Sequence, residues 1–272
     1  MTQLIEGKKK FWEDGAGFFG HPYMEGDNSL EGYLTIPLQL EERTRRELAG
    51  VTSLLDLKEG QRVLDCPTGY GRHAIGLARL GFDVVGSDIN SEMLEQAFAA
   101  SEGTPGVTFV KENMQFISYS NEFDAVINLF FSFGFFETEE ENNAVLRNFF
   151  DALKPGGKFM MHTDINVPRI FAGDYKLHER RNLTSGRQLE IVESFDAPTR
   201  RLTGQWILLN QDGTRQECPQ YNHRIYTFED FAAICRAAGF DKVDGYGDWD
   251  GSPLTESSED MIVVARKPIT EA

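Results

Sequence analysis

The sequence predicts an α/β protein built on a doubly wound, mostly parallel sheet, with a small antiparallel β insertion and a helical lid at its N-terminus. Short apolar segments alternate with helix-forming segments between residues 58 and 164, which is typical of a parallel sheet covered by helices. Between residues 188 and 226 the pattern changes to antiparallel strands, with a turn at Asp212-Gly213. We therefore expect one α/β core that carries an insertion.

The individual elements follow from apolar runs, turn residues and helix caps. Thr138-x-x-Glu141 and Thr227-x-x-Asp230 begin helices, and Gly81 is well placed to end one. In chain order we expect a helix over 36–57, a strand over 62–65, a helix ending at 80, a strand over 82–87, a helix over 91–100, strands over 107–110 and 123–129, a helix from 138 to 154–157, a strand over 158–164, antiparallel strands over 188–226, a helix over 227–238, and strands over 242–246 and 261–266.

These elements divide the chain into four regions. Residues 1–57 form the lid and a first helix, and residues 58–164 form the cofactor-binding α/β core. Residues 165–226 form the β insertion, which we expect to cover the substrate. Residues 227–272 add the helix and the strands that complete the core sheet.

The composition limits the classes of molecule that we expect this protein to bind. The chain carries 27 Lys and Arg against 43 Asp and Glu, a formal charge of −16, which would repel phosphate backbones and anionic membranes. Its three cysteines are scattered and odd in number, which suits a reducing compartment, and the N-terminal segment has no apolar stretch that could serve as a signal peptide. The histidines show no metal-ligand spacing. We expect a cytoplasmic monomer or homodimer that binds a small molecule, without metal, nucleic acid or membrane.

The most informative segment is the loop after the first predicted strand, VLDCPTGYGRHA over residues 63–74. Gly69, Gly71 and Ala74 fit the dinucleotide pattern G-x-G-x-x-A, which alone is a weak signal. Asp65, however, stands at the strand end, four residues before Gly69, where its charge would repel a pyrophosphate. The same carboxylate would attract an ammonium. The loop therefore indicates a zwitterionic nucleoside without phosphates.

Two further segments fit such a nucleoside. Asp88 ends a strand 23 residues after Asp65, the spacing at which an acidic residue accepts ribose hydroxyls. After the next strand, the amide of Asn113 could bind the adenine edge and the thioether of Met114 could pack on its face. The alternative is that both aspartates are only helix N-caps, but three such features in this order favour the nucleoside site.

These segments resemble the class I S-adenosylmethionine-dependent methyltransferases, in their bacterial small-molecule branch. The matching text covers most of residues 62–268 and reads VLDCPTGYGRHAIGLARLGFDVVGSDINSEML, FDAVINLFFSFGFF, LKPGGKFMMHTDIN, RIYTFEDFAAICRAAGF and GYGDWDGSPLTESSEDMIVVARK. The resemblance implies a seven-stranded sheet with one antiparallel strand. It also implies S-adenosylmethionine as cofactor, lying across the carboxyl ends of the first strands.

The resemblance further implies which residues contact the cofactor. From the methionine end to the adenine, they are Asp65, Gly69, Gly71, Leu129, Asp88, Ile89, Asn113 and Met114, with Tyr23 closing over the cofactor or its methyl group from the lid.

Methyl transfer is an in-line displacement, for which a protein mainly supplies alignment, worth roughly 7–11 kcal/mol. A base is needed only where the nucleophile must lose a proton. The candidate bases are His162 and Asp164, near the end of the fifth strand, and His223, before the last helix. A histidine pKa of about 6.5 suits that task. The alternative is that His162 is a satisfied core residue and His223 a surface one.

The candidate substrate contacts surround the expected reaction centre. They are Tyr23, Phe133, Asp164, Arg224 and Tyr226. For Phe133 the alternative is a place in the core, and Tyr226 could instead only staple the helix that follows it. A basic segment over 176–187 could bind a substrate anion or be a solvated face.

The sequence thus predicts a methyltransferase that acts on N or O of a small metabolite. The alternatives are an aminopropyl transferase or carboxylated-cofactor enzyme of the same fold, and a non-catalytic cofactor-binding module. A nicotinamide oxidoreductase is disfavoured by Asp65.

Overall fold

A seven-stranded sheet runs through the computed structural model, which describes residues 9–28 and 38–269. The helices are α1 (His21–Asp27), α2 (Leu40–Leu54), α3 (Arg72–Arg79), α4 (Ser91–Ala100), α5 (Glu139–Ala152), α6 (Val167–Ala172) and α7 (Phe228–Ala238). The strands are β1 (Arg62–Asp65), β2 (Asp83–Asp88), β3 (Val107–Lys111), β4 (Phe123–Asn128), β5 (Leu153–Thr163), β6 (His178–Asn182), β7 (Gln188–Asp196), β8 (Arg201–Leu209), β9 (Arg215–Glu217), β10 (Tyr221–Arg224), β11 (Lys242–Tyr246) and β12 (Met261–Arg266).

The order of the strands in this sheet is β3-β2-β1-β4-β5-β12-β11. The pairs from β3 to β5 are parallel, whereas β12 is antiparallel to both of its neighbours. This confirms the predicted fold class, including the single antiparallel strand. Because the strands β1, β2, β4 and β5 are parallel, their carboxyl ends meet at one edge of the sheet, where open α/β sheets bind their ligands.

Alternating side chains of the strands pack on opposite faces of the sheet. Val63 and Ile127 belong to one hydrophobic cluster, and Leu64 and Val126 belong to the other. Since helices cover both faces, the strands read as nearly continuous apolar runs. This explains why their positions could be predicted closely.

Two predicted capping boxes begin helices as expected. Thr138 Oγ1 accepts a hydrogen bond from the Glu141 backbone at 3.2 Å, and the Glu141 carboxylate accepts one from the Thr138 backbone at 3.0 Å. Thr227 and Asp230 form the same reciprocal pair at the start of α7. Each pair satisfies N–H groups that a helix terminus leaves unpaired.

Two predicted elements have bounds that differ from the structure by several residues. Helix α2 spans Leu40–Leu54 rather than 36–57, and positions 36 and 37 lie outside the described residues. Strand β5 begins at Leu153, inside the segment predicted to end the preceding helix. The pairing of β4 with β5 shifts register between Phe123 and Ala125, and this irregularity accommodates Gly156 and Gly157 within the strand.

The insertion forms a second sheet, with strand order β10-β8-β7-β6 and β9 paired to β8. Its edge strand β6 lies in the basic segment, for which no strand was predicted. The charges there are locally compensated: Arg180 pairs with Glu190 across to β7, and Arg181 pairs with Glu179. Pairing with β7, rather than burial of apolar side chains, positions β6, and its sequence therefore shows no apolar alternation.

Within the described ranges, no helix is both long and apolar enough to cross a membrane. The same part of the chain contains no group of three His, Cys, Asp or Glu side chains arranged to hold a metal ion. The three cysteines are buried free thiols.

Candidate active site

The glycine loop joins β1 to α3 at the carboxyl edge of the sheet. Gly69 and Gly71 both have left-handed backbone, with φ of 57° and 79°. A Cβ on Gly71 would lie 2.8 Å from the Phe109 ring and 2.9 Å from the Ala97 side chain. Gly71 is therefore required for the close packing of α3 on its neighbours, whereas Gly69 faces the cavity described below.

Asp65 ends β1 and is only 2% exposed. Thr68 Oγ1 donates a hydrogen bond to its carboxylate at 2.7 Å, but Asp65 forms no ion pair with any described residue. Burial, with a smaller effect from the nearby charge of Asp88, raises the pKa of Asp65 to about 7 even though the hydrogen bond from Thr68 and the charge of Arg72 lower it. A ligand cation would relieve this unfavourable charge burial.

Asp88 ends the neighbouring strand β2 beside the same loop. Its two carboxylate oxygens accept hydrogen bonds from the backbone N–H groups of Gly69 and Asn90, each at 2.8 Å. Burial nevertheless raises the pKa of Asp88 to about 6. Because a carboxylate has about four acceptor positions, Asp88 keeps capacity to accept a hydrogen bond from a ligand hydroxyl.

Asp88→Ala should weaken binding of S-adenosylhomocysteine, the product form of the expected cofactor, by about 1–3 kcal/mol, since hydrogen bonds to a charged group are lost. Isothermal titration calorimetry measures this change. Asp83→Ala, at the exposed opposite end of β2, is the matched control and should bind normally. An unchanged dissociation constant in the Asp88 variant would refute the ribose assignment.

A cleft of about 850 Å³ opens between these two carboxylates. All the predicted cofactor residues except Gly71 line it, namely Tyr23, Asp65, Gly69, Asp88, Ile89, Asn113, Met114 and Leu129. We call this cleft the first cavity. Sequence reasoning missed other residues of its lining, including Trp12, Tyr70, Arg72 and Phe136.

Helix α1 closes the first cavity from the side of the lid. Its Asp27 is buried and accepts hydrogen bonds from Tyr70 in the glycine loop and from Arg43 in α2. On the same helix, the Tyr23 ring stacks on Trp206 of β8, with centroids 5.7 Å apart and planes 5° apart. The lid therefore contacts both the core and the second sheet.

A second cavity, of about 1060 Å³, lies between the core and the inserted sheet. It shares four aromatic residues with the first cavity, and we call them the shared wall: Phe19, Tyr23, Phe130 and Phe135. Of the predicted substrate contacts and bases, Tyr23, Asp164 and His223 line this cavity. The arrangement places one ligand site on each side of the shared wall.

His223 is 4% exposed, and neither of its ring nitrogens has a hydrogen-bond partner among the described residues. Its ring lies 4.3 Å from that of Phe135, in a stacked arrangement, and 4.1 Å from that of Phe131. Burial lowers the pKa of His223 well below 6.5. It is therefore a neutral imidazole with unused polar atoms at a ligand cavity.

His162 has a different position from the one expected of a base. Its Nδ1 accepts a hydrogen bond from the Phe130 backbone at 3.2 Å, and its Nε2 lies 3.0 Å from a carboxylate oxygen of Asp260. It is not among the described residues that line either cavity. The satisfied-core alternative therefore fits His162, which holds Phe130 in place rather than reaching a ligand.

Phe133 was predicted to contact the substrate, but it does not line the second cavity. Its ring packs on Phe231 at 5.0 Å and on Tyr226 at 5.6 Å. Phe130 and Phe131 have left-handed backbone, with φ of 54° and 59°. The loop that follows β4 is therefore not extended, so its phenylalanines do not alternate between two faces as they would in a strand.

Arg224 and Tyr226 also face away from both cavities. Arg224 Nε and the Tyr226 hydroxyl each donate a hydrogen bond to Glu139, at 2.6 and 2.7 Å. Successive residues of a strand point to opposite faces, so the placement of Tyr221 and His223 on the cavity face of β10 turns Arg224 outward. The predicted substrate contacts of Arg224 and Tyr226 are therefore not seen, because both side chains bond to Glu139 instead.

The residues of the second cavity that sequence reasoning missed come mainly from the inserted sheet. They include Tyr175, Ile191, Glu193, Trp206 and Tyr221. Their alternation along the strands was visible in the sequence, but the face that packs against the core was not.

Comparisons with known proteins show which proteins this chain is similar to. Residues 63–157 match the family of methyltransferase domains. The putative methyltransferase YqeM of Bacillus subtilis (strain 168) is 30% identical over 118 residues, which are 42% of this chain and 48% of YqeM, about half the length of that relative. The glycine/sarcosine N-methyltransferase of Halorhodospira halochloris is 26% identical over 218 residues, which are 77% of this chain and 76% of that protein.

Among solved structures, the CcbJ methyltransferase from Streptomyces caelestis is similar with a TM-score of 0.71. The two sequences are 21% identical, and the match covers 82% of this chain and 89% of that chain. At this identity the similarity shows the fold.

Proposed function

We propose that this chain, a class I S-adenosylmethionine-dependent methyltransferase, methylates N or O of a small molecule held in the second cavity. The observation that carries the proposal is the buried Asp65, which lacks a basic partner among the described residues and lines a cavity that borders a second one. The N-methyltransferase named above acts on glycine and sarcosine, which supports a small acceptor.

The residues of the first cavity fit S-adenosylmethionine. Asp65 would bind the ammonium of its methionine part, and Asp88 would bind the ribose hydroxyls. Asn113 and Met114 would contact the adenine, and Tyr23 and Leu129 would lie near the sulfonium. When bound, S-adenosylmethionine supplies an electrophilic methyl group. The fit depends on the positive charge of the ligand, because the buried carboxylate of Asp65 lines this cavity and can pair with a cation.

The protein's own contribution is alignment, exclusion of water and a proton acceptor. The shared wall excludes water around the reacting atoms. Of the candidate bases, Asp164 and His223 line the second cavity, and we assign the proton of the nucleophile to His223 because both of its ring nitrogens lack partners. His162 is a positioning residue, since it holds the backbone of Phe130 in the shared wall.

We further propose that the enzyme works in the cytoplasm as a monomer or homodimer and binds no nucleic acid. The formal charge of −16 and the three free cysteines support this proposal. Sedimentation of the purified chain would determine the oligomeric state.

Calorimetry tests the function against its alternatives. We expect S-adenosylhomocysteine to bind near micromolar and nicotinamide dinucleotides to bind much more weakly, because a carboxylate at Asp65 repels a pyrophosphate. Preference for decarboxylated S-adenosylmethionine would instead favour an aminopropyl transferase. Cofactor binding without methyl transfer to a broad panel of amines, phenols and carboxylates would favour a non-catalytic module.

A further inference from the structure

The second cavity contains a carboxylate that no cation neutralises. Asp164 is 5% exposed and forms no ion pair with any described residue. Burial raises the pKa of Asp164, and the charges of His162 and Arg181 only partly oppose this. Arg181 itself is paired with Glu179. Asp164 therefore remains a buried acceptor that faces the cavity.

Glu193 of β7 is a second such acceptor. The hydroxyls of Tyr175 and Tyr221 donate hydrogen bonds to its carboxylate, the former at 3.0 Å, and no ion pair involves it in the described part of the chain. Burial, with a smaller effect from the charge of Asp164, raises the pKa of Glu193 to about 7 against the two tyrosine hydrogen bonds, which lower it. Asp164 and Glu193 line the same cavity.

The third acceptor is His223, which is unprotonated and has no partner in residues 9–28 and 38–269. Asp164, Glu193 and His223 all line the same cavity. Together they offer two carboxyl groups and one imidazole nitrogen as acceptors, and the N–H of the neutral imidazole is the one fixed donor among them. An alkylammonium has up to three N–H donors and no acceptor, whereas a hydroxyl has one donor and a carboxylate or phosphate has none.

The remaining walls are aromatic. Phe18 packs against Trp206 at 5.3 Å and against Tyr221 at 5.4 Å, and Tyr23 stacks on Trp206. Faces of such rings attract cations and also cover apolar groups. The ligand therefore has an apolar body next to its charged group.

Basic residues that could bind an anion are either exposed or paired. Lys176 is exposed, and Arg169 donates to the Asp174 carbonyl at 3.3 Å and lies 3.8 Å from the carboxylate of Glu259. Arg181 is the remaining Lys or Arg of the described lining; it is buried and paired with Glu179. An anionic group on the substrate would consequently compete with Glu179 for Arg181 and would also meet the carboxylate of Asp164. The cavity disfavours phosphorylated and carboxylated substrates.

We propose that the substrate is a protonated primary or secondary amine on an apolar body, whose ammonium binds between Asp164 and Glu193 and donates a hydrogen bond to His223. This rests on the methyl transfer proposed above and specifies its acceptor as nitrogen. The bound ammonium first gives one proton to His223. The nitrogen lone pair then forms the bond to the methyl carbon, and the carbon–sulfur bond breaks with its electron pair remaining on sulfur. The products are a methylated ammonium and S-adenosylhomocysteine, and His223 returns its proton to solvent.

The test compares three probes with the same phenylethyl body: 2-phenylethylamine, which has an amine, 2-phenylethanol, which has a hydroxyl, and L-phenylalanine, which has an amine and a carboxylate. Calorimetry in the presence of S-adenosylhomocysteine measures their binding, and release of S-adenosylhomocysteine from S-adenosylmethionine measures their turnover. We expect the amine to bind about 10- to 100-fold more tightly than the alcohol or the amino acid.

Asp164→Asn and Glu193→Gln should each reduce this preference for the amine at least about fivefold, since each variant loses one charged acceptor. Asp212→Asn, at an exposed turn between β8 and β9, should not.

The outcomes separate the two proposals. Equal binding of amine and alcohol, or a preference that survives both Asp164→Asn and Glu193→Gln, overturns the amine assignment even if methyl transfer to another acceptor is found. Preferential amine binding that depends on both carboxylates, without turnover of any member of a broad amine panel, supports the amine site but contradicts the methyltransferase function. Normal S-adenosylhomocysteine binding by both variants shows that they are folded.

Discussion

His223→Phe should lower kcat by about 10²- to 10⁴-fold, the usual contribution of a positioned proton acceptor. Phenylalanine suits the site sterically, because His223 already stacks on Phe135 among aromatic rings. The affinity for S-adenosylhomocysteine should not change, since His223 is not among the described residues of the first cavity. Release of S-adenosylhomocysteine at saturating substrate gives kcat, and calorimetry gives the affinity.

The pH profile provides a second readout for the same residue. Burial holds the pKa of His223 well below 6.5, so its ring is unprotonated over the neutral range, and its protonation should reduce kcat/KM only at lower pH. His178→Gln, on the exposed side of β6, is the matched control. A kcat within about threefold of wild type in His223→Phe would exclude this histidine as the proton acceptor.

Asp65→Asn should weaken S-adenosylmethionine binding by about 2–4 kcal/mol, because the ammonium would lose the charge of the buried carboxylate that we assign to it. The pKa of Asp65 is about 7 in the empty protein, so binding of an ammonium below pH 7 requires release of a proton. The wild-type dissociation constant should consequently rise about tenfold per pH unit below 7. The variant should lack this dependence on pH. Calorimetry between pH 5.5 and 8 measures both effects, and Asp56→Asn at an exposed turn is the control.

The same substitution should affect stability in the opposite direction. A carboxyl group whose pKa is raised from 3.8 to about 7 on folding favours the folded state at low pH, and this contribution is lost as the pH rises towards 7. Above pH 7 the empty wild-type protein holds a buried charge that asparagine would remove. The melting temperature of Asp65→Asn at pH 8, without cofactor, should therefore equal or exceed that of wild type. A large loss of melting temperature would show that Asp65 is required for folding rather than for the ligand.

The strands of the core could be predicted from sequence because each is a short apolar run between clear turn signals. The predicted bounds of β1, β11 and β12 agree with the structure. β6 could not be predicted, because charged residues dominate it and its place depends on pairing with β7. The start of β5 was missed for a similar reason: Gly156 and Gly157 resemble a helix end but lie within an irregular strand.

The cofactor side of the candidate site could be predicted better than the substrate side, for a related reason. Residues such as Asp65 and Asp88 directly follow or end parallel strands, so their order in the chain determines their neighbours in space. The substrate side depends on which face of the inserted sheet packs on the core, and on the irregular loop at Phe130 and Phe131. That is why His223 and Asp164 were predicted beside Arg224 and Phe133, which face elsewhere.

The shared wall has a consequence for the kinetic scheme. Phe19, Tyr23, Phe130 and Phe135 border both cavities, so the cavities adjoin, and a donor bound in the first could touch an acceptor bound in the second, as in-line transfer requires. No protein nucleophile is needed to carry the transferred carbon, and catalysis requires both cavities to be filled at once. The enzyme is thereby committed to a sequential scheme, in which plots of reciprocal rate against reciprocal concentration intersect rather than run parallel.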